Sequence, residues 1–352
     1  MASGFGCVRR FNAGIRKFYH RTPTQIRRLA RQRQTQLENQ YVFRLNFRPP
    51  YHWRGMLDFL GPRCTPGVES VEGDCYRRSV SVSGKNGYFE VCPDHERHLL
   101  MVRIEIGDPQ SLFMIVERIR KMFDLNADWA KIVETLGTDP VLATTVRAEP
   151  GLRVPGCWDG FELATRAIVG QQVTVRGATA LAGRLVARFG KSFRGPTGLT
   201  HLFPTPEALA EAKLAGVGLT TARAETIRAL ARAICDGKID FSSIVDSAAF
   251  LNRLCEIPGI GSWTAQYVAM RALGEPDAFP STDLGLLRAM NLRSSYELER
   301  RSESWRPWRA YAAMYLWRFG LQEPVRPEQL VLSESRVHTP RDGSPREHIS
   351  TA

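Results

Sequence analysis

The chain has 352 residues, 43% of them apolar, which is enough for two or three domains with proper cores and excludes wholesale disorder. Its longest apolar runs, such as Leu99–Val102 and Ala310–Leu316, fall far short of the roughly 20 residues a membrane-spanning helix requires, so no transmembrane segment is expected. The net charge of +12 points to a polyanionic partner, and nine of the 48 Lys and Arg residues sit in positions 1–35, where there is no acid. The rest of the chain holds 39 basic against 36 acidic residues, so a nearly neutral body must grip its partner with specific devices. The seven cysteines (7, 64, 75, 92, 157, 235 and 255) are scattered singly, and this spacing suggests neither a disulfide framework nor a zinc or Fe–S site, as suits a reducing cytoplasm.

In chain order, Gly4–Arg33 reads as two short basic helices, with Thr22 placed to cap and Pro23 to open the second. The run GFGCVRRFNAGIRKFYHRTPTQIRR resembles the recognition and closing helices of AraC-type helix-turn-helix regulators without their upstream half. Two such helices bury no stable core, so residues 1–35 are expected to form a poorly ordered, DNA-attracted arm. Polar, Gln-rich residues 36–40 suit a linker. Residues 41–107 read as a small antiparallel α+β domain: strands at Tyr41–Phe47, Cys75–Val82, Tyr88–Cys92 and Leu99–Ile106, a helix at Trp53–Leu60, and turn chemistry in Gly84-Lys85-Asn86-Gly87.

Beyond Asp108 the periodicity becomes helical: Gln110–Phe123, Asp128–Leu136, Gly160–Phe189, Pro206–Lys213, Thr220–Cys235, Ala248–Glu256, Ser262–Leu273, Asp283–Met290, Ser295–Glu303 and Pro307–Phe319. The helical domain is taken as 108–324, and the polar, Pro-rich residues 325–352 as a disordered tail. The predicted fold class is therefore α+β, mostly α.

The strongest local feature is the apolar helix end, turn and new helix of Leu254–Tyr267, with Ile257-Pro258-Gly259-Ile260-Gly261 at its centre. Pro258 restricts Ile257 and ends the first helix, and Gly259 and Gly261 permit positive φ and a close backbone approach. Free N–H groups at the next helix start can then bind a phosphate without any side-chain charge. Leu214-Ala-Gly-Val-Gly218 is a similar turn, so such a corner also serves plain packing.

The longer pattern IPGIGSWTAQYVAMRAL followed by DAFPSTDLGL resembles the helix-hairpin-helix glycosylase superfamily, in which an Asp follows the hairpin at about this separation; here it is Asp283. YHWRGMLDFLGPRCTPGVESV, RAIVGQQVTV and WRPWRAYAAMYLWR extend the resemblance over about residues 41–325 to AlkA-type DNA-3-methyladenine glycosylases II. That family pairs a small antiparallel domain with two helical subdomains, and some of its relatives are fused behind an Ada-like regulator.

The resemblance implies Asp283 as the catalytic carboxylate, at a helix start that by itself would suit a cap. It places Trp263, Tyr267, Trp317 and Phe59 around a flipped base, where aromatic faces favour an electron-poor ring. It makes Gln172, in place of the familiar Leu, the DNA wedge. The backbone of Cys255, Ile257 and Gly259 is implied to bind a monovalent structural cation, with no other cofactor, no zinc and no Fe–S cluster. Trp263 occupies the place where lyase members carry a Schiff-base Lys, which predicts a monofunctional hydrolase. The implied partner is double-stranded DNA with alkylated bases such as 3-methyladenine and 7-methylguanine, bound by a cytoplasmic monomer. The competing readings are an oxidised-purine glycosylase and a non-catalytic DNA-binding regulator or damage sensor.

Overall fold

The computed structural model describes residues 16, 22–25, 39–242 and 246–320. Most of the predicted basic arm and the whole of the predicted tail 325–352 lie outside these residues. Within the arm, Thr22 and Gln25 form a reciprocal capping box: the Gln25 N–H donates to Thr22 Oγ1, and the Thr22 N–H to Gln25 Oε1.

The N-terminal unit is a five-stranded antiparallel sheet in the order β1-β5-β4-β3-β2, from β1 (Gln40–Asn46), β2 (Glu69–Glu72), β3 (Cys75–Val82), β4 (Lys85–Asp94) and β5 (Leu99–Ile106). Strand β2 has no sequence-level counterpart, because four residues are too few for alternation to register. The β3–β4 turn is tighter than predicted. Val82 pairs with Lys85, and Ser83 and Gly84 have φ of +50° and +74°, the paired positive values that a two-residue turn between twisted strands requires. Alternation in β5 turns Leu100, Val102, Ile104 and Ile106 inward to the core they share with helix α1 (Trp53–Leu60), whose Met56, Leu57 and Leu60 are buried.

The cysteine reading needs correction, because Cys75 and Cys92 form a disulfide. Their spacing of 17 residues carries no motif, but the register pairs Tyr76 with Val91 and so brings Cys75 opposite Cys92, with Cα atoms 4.4 Å apart. Such close pairs lie between the ladder's hydrogen bonds and turn both Cβ atoms to one face. The same two sulfurs and Glu90 form a group compact enough for a metal ion. In the structure the sulfurs are bonded to each other, and Glu90 is paired with Arg77 and Arg103.

The helical part returns on itself, so two cores result. One joins the sheet and α1 to α2 (Leu112–Met122), α3 (Trp129–Leu136), α4 (Ala143–Ala148) and, from the far end of the chain, α11 (Leu284–Ala289), α12 (Ser295–Ser302) and α13 (Arg309–Phe319). The other is built by α5 (Gly160–Gly170), α6 (Val175–Phe189), α7 (Pro206–Ala210), α8 (Thr221–Cys235), α9 (Ser247–Cys255) and α10 (Ser262–Val268). A π-helical turn, Ala269–Leu273, continues α10 from the second core into the first.

The stretch read as one helix over 160–189 is two. The chain breaks at Gln171–Thr174, Thr174 accepts from the Gly177 N–H to cap α6, and Gln172 takes φ +56°. Amphipathic spacing continues across the break, so periodicity could not reveal it; a capping Thr after a Gly was the available signal.

A buried ionic cluster holds the sheet to α5. Arg78 on β3 pairs with Glu69 on β2 (3.0 Å) and with Glu162 on α5, and Arg166 on α5 reaches both carboxylates at 2.8 and 3.0 Å. Burial alone would raise the Glu69 pKa. Arg166 and Arg78, with the Thr65 N–H and the Tyr76 hydroxyl, bring it instead to about 2.

Candidate active site

Helices α9 and α10 flank the hairpin. Gly259 has φ +90°, and a Cβ there would lie 2.1 Å from Thr226 Oγ1, so this position requires glycine for conformation and for space. Gly261 differs from the sequence expectation, because its φ is −99° and a Cβ there would meet no atom within 4 Å; it is the N-cap of α10. The hairpin rests on α8 through the Thr226 hydroxyl, which is shared between the carbonyls of Pro258 (2.9 Å) and Ala222 (3.0 Å).

These geometries separate the two glycines. Gly259→Ala is expected to lower folding stability by about 1–3 kcal/mol through strain and displacement of Thr226, and to weaken duplex binding with it. Gly261→Ala should leave the denaturation midpoint nearly unchanged, so any loss of affinity in a fluorescent-duplex titration reports how closely the backbone approaches phosphate. Equal destabilisation by both variants would contradict this account.

Asp283 caps α11 as its sequence context suggests: Oδ1 accepts from the N–H groups of Gly285 (2.8 Å) and Leu286 (3.0 Å). It does more than cap. The Trp317 indole donates to Oδ1 at 3.0 Å, and the Trp263 indole to Oδ2 at 2.7 Å. The carboxylate is thus held by four donors from three elements, with its remaining acceptor capacity mainly on Oδ2. Leu284, next to it, is 64% exposed, which places this helix start at an open surface.

The structure brings the four predicted aromatic residues together. Trp263 and Tyr267, one helical turn apart on α10, stack at 5.3 Å with 9° between their planes. Trp317 from α13 stands edge-on to Tyr267 at 6.3 Å, and Phe59 from α1 lies 6.4 Å from Trp317. Sequence reasoning missed two cations beside this set. The Arg63 guanidinium lies 3.9 Å from the Phe59 ring centre and that of Arg271 5.0 Å from it. Arg271 donates to Tyr267 Oη (2.6 Å) and to the carbonyls of Pro155 and Gly156. Burial would raise the Tyr267 pKa, but Arg271 and Arg63 outweigh it and leave the phenol below its usual value. Both arginines carried a signal, since each follows its aromatic partner by four residues along a helical stretch.

Gln172 is exposed, in the turn between α5 and α6. Its neighbour Gln171, also missed, donates from Nε2 to the Gly259 carbonyl (2.9 Å) and to Thr264 Oγ1 (3.2 Å). At the implied cation position, the Gly259 carbonyl accepts from Gln171 and the Ile257 carbonyl from the Ile260 N–H (3.0 Å). Each oxygen keeps one lone pair, so these two carbonyls, like that of Cys255, are oxygen donors of the kind hard cations take.

A helix-hairpin-helix followed by an N-cap aspartate walled with aromatic rings defines the base-excision DNA glycosylases of the helix-hairpin-helix class. Residues 42–159 match the AlkA N-terminal domain, and residues 165–307 match the HhH-GPD superfamily of base excision DNA repair proteins. The chain belongs to the AlkA-type DNA-3-methyladenine glycosylase family.

It is 33% identical over 280 residues to DNA-3-methyladenine glycosylase 2 of Escherichia coli, covering 78% of this chain and 96% of that one. Over 335 residues it is 38% identical to a probable bifunctional transcriptional activator/DNA repair enzyme AlkA of Mycobacterium tuberculosis, covering 92% of this chain. It spans 66% of that relative's length. A 3-methyladenine DNA glycosylase from Archaeoglobus fulgidus shares the fold, with a TM-score of 0.69 at 22% identity over 80% of this chain and 99% of that one. No helix among the described residues is long and apolar enough to cross a membrane.

Proposed function

We propose that the chain excises alkylated purines such as 3-methyladenine and 7-methylguanine from double-stranded DNA, acting as a monofunctional glycosylase that leaves an abasic site. The observation that carries this reading is the Asp283 carboxylate, fixed by four donors at an open helix start beside Trp263, Tyr267 and Trp317. Cleavage of the N-glycosidic bond passes through a cationic sugar, and a fixed carboxylate stabilises it without reorganising. Oδ2, with one donor against three on Oδ1, is the oxygen with acceptor capacity left to face it.

Ordinary glycoside hydrolysis needs a second carboxyl group as general acid. A purine methylated at N3 or N7 already carries positive charge and departs neutral without protonation, so one carboxylate suffices. The tryptophan and tyrosine faces favour that cationic ring. Trp263, lacking an amine, forms no Schiff base, so the strand stays intact. The hairpin holds the phosphate backbone, and Gln172 fills the space left by the extruded base.

The residues that would hold a monovalent cation are Cys255, Ile257 and Gly259, through their carbonyls; bound there, it would add positive charge beside the phosphate. The reading needs no other cofactor. It places the protein in the cytoplasm as a monomer on DNA, with the basic arm adding attraction for the phosphate backbone.

The test is incubation of the purified protein with duplexes carrying a panel of damaged bases. Release of free methylated purine with an uncut strand is expected. Release of oxidised purines instead, or strand cleavage without alkali or heat, would overturn the substrate class or the monofunctional assignment. Binding without release of any base would favour a damage sensor.

A further inference from the structure

The wedge turn and the phosphate-binding hairpin are joined by one side chain. Gln171 is the last residue before the left-handed Gln172, and its carboxamide crosses to the hairpin, donating to the Gly259 carbonyl at 2.9 Å and to Thr264 Oγ1 on α10 at 3.2 Å. Its own carbonyl is gripped by the Arg223 guanidinium on α8. The same helix supplies Thr226, whose hydroxyl meets the Pro258 carbonyl at 2.9 Å. Turn and hairpin therefore share one buttress as well as a direct bond.

We infer that Gln171 is a positioning residue that sets the wedge against the hairpin, so that seating the phosphate backbone also aims Gln172 at the base to be extruded. The inference rests on the proposed wedge role of Gln172. The physical need for such a latch is plain from the turn. Gln172 is exposed and has φ +56°, a conformation that non-glycine residues hold only when their surroundings impose it. Arg223 and Gln171 are the groups that impose it. Without the Gln171 carboxamide the turn keeps Arg223 and its own local hydrogen bonds but loses its direct bond to the hairpin, and its tip can settle away from the direction that extrusion requires. Base extrusion costs a few kcal/mol, least where the target is already unpaired. A misplaced wedge should therefore be felt for a paired lesion and hardly at all for one that is already extrahelical.

This difference supplies a readout that simple damage to the fold would not give. Single-turnover release of 7-methylguanine is measured from two duplexes, one with the lesion opposite cytosine and one with it in a single-nucleotide bulge. Gln171→Ala is expected to slow release from the paired duplex about tenfold, the scale of one hydrogen bond with a partner left unsatisfied. Release from the bulge should stay within about twofold. Gln171→Glu keeps the size and removes the donor, and should slow paired release at least as much.

Gln172→Ala, measured alongside, should show the same selective loss, and the double variant Q171A/Q172A should lose little more than Gln172→Ala alone, as expected of residues acting in series. Equal slowing on both duplexes by Gln171→Ala would reduce Gln171 to a structural role and overturn the inference while leaving the wedge reading intact. Absence of any selective loss in Gln172→Ala would overturn the wedge reading, and the inference with it.

Discussion

Asp283→Asn is expected to reduce release of alkylated base by about a thousandfold while leaving the fold and duplex binding nearly intact. A full negative charge roughly 4 Å from a developing sugar cation contributes about 4 kcal/mol at the effective dielectric of a protein surface. Each 1.36 kcal/mol is a factor of ten in rate, which gives the expected loss.

The substitution is clean because asparagine caps helices as well as aspartate does. Its carbonyl can still accept from the Gly285 and Leu286 N–H groups, so α11 should keep its start. What changes is the other side, where Oδ2, the acceptor for Trp263, becomes an amide that can only donate. Single-turnover release, a denaturation midpoint and a duplex titration on the same preparation decide the matter. Unchanged release would remove Asp283 from the mechanism, and lost release with lost folding would show only that the cap is needed.

The largest effect on stability is expected at Arg78. Its guanidinium stands between Glu69 and Glu162, all three groups being buried. Removing one member of a buried ionic group leaves charge without compensation and typically costs about 3–5 kcal/mol. Arg78→Met should accordingly lower the thermal midpoint by roughly 5 °C, at about 1–2 °C per kcal/mol for a chain of this size. Adding Glu162→Gln should restore part of the loss, because the orphaned charge is then removed.

The pH dependence follows from Glu69, whose pKa in the folded protein is about 2 against an ordinary 4.5. A depressed carboxylate pKa contributes stability that is complete above about 4.5 and is lost as pH falls towards 2. Arg78→Met should blunt this acid-side loss, since Arg78 is one of the groups that depress the pKa. Urea midpoints at pH 7, 4 and 3 measure it. A variant as stable as the parent at pH 7 would show that Arg166 alone compensates both carboxylates.

Much of the site was written in local sequence. The hairpin's turn chemistry, the capping position of Asp283 and the helical spacing of Trp263 and Tyr267 depend on neighbours within a few residues, so they survive in a linear reading. Helices such as Trp53–Leu60 and Thr221–Cys235 were likewise legible, because one apolar face recurs at the helical period. Strand β2 was too short to show a period, and the break at Gln171–Thr174 falls inside an unbroken amphipathic pattern.

The family resemblance named Trp317 and Phe59 as pocket residues, but the sequence could not say what holds them. Trp317 comes 34 residues after Asp283, and its indole reaches that carboxylate only because the last helix returns to the first core. The Cys75–Cys92 pair depends on a strand register fixed by the two-residue turn at Ser83-Gly84, where the sequence pattern suggests four residues, Gly84 to Gly87. Gln171 finds Gly259 and Thr264, and Arg271 finds Phe59 and the carbonyls of Pro155 and Gly156, across elements, through contacts of large sequence separation that no local spacing encodes.

The sequence by itself determined the local pieces of this protein: which segments coil, where a helix is capped, and where the backbone can turn tightly enough to meet a phosphate. These follow from backbone conformation and short-range hydrogen bonding. Only the tertiary structure decided that one carboxylate should be clamped by two indoles, that three buried charges should bind sheet to helix, and that the turn at Gln171 should be bonded to the hairpin. Such pairings form when distant segments bury their apolar faces together, and the polar groups carried in with them must then satisfy one another.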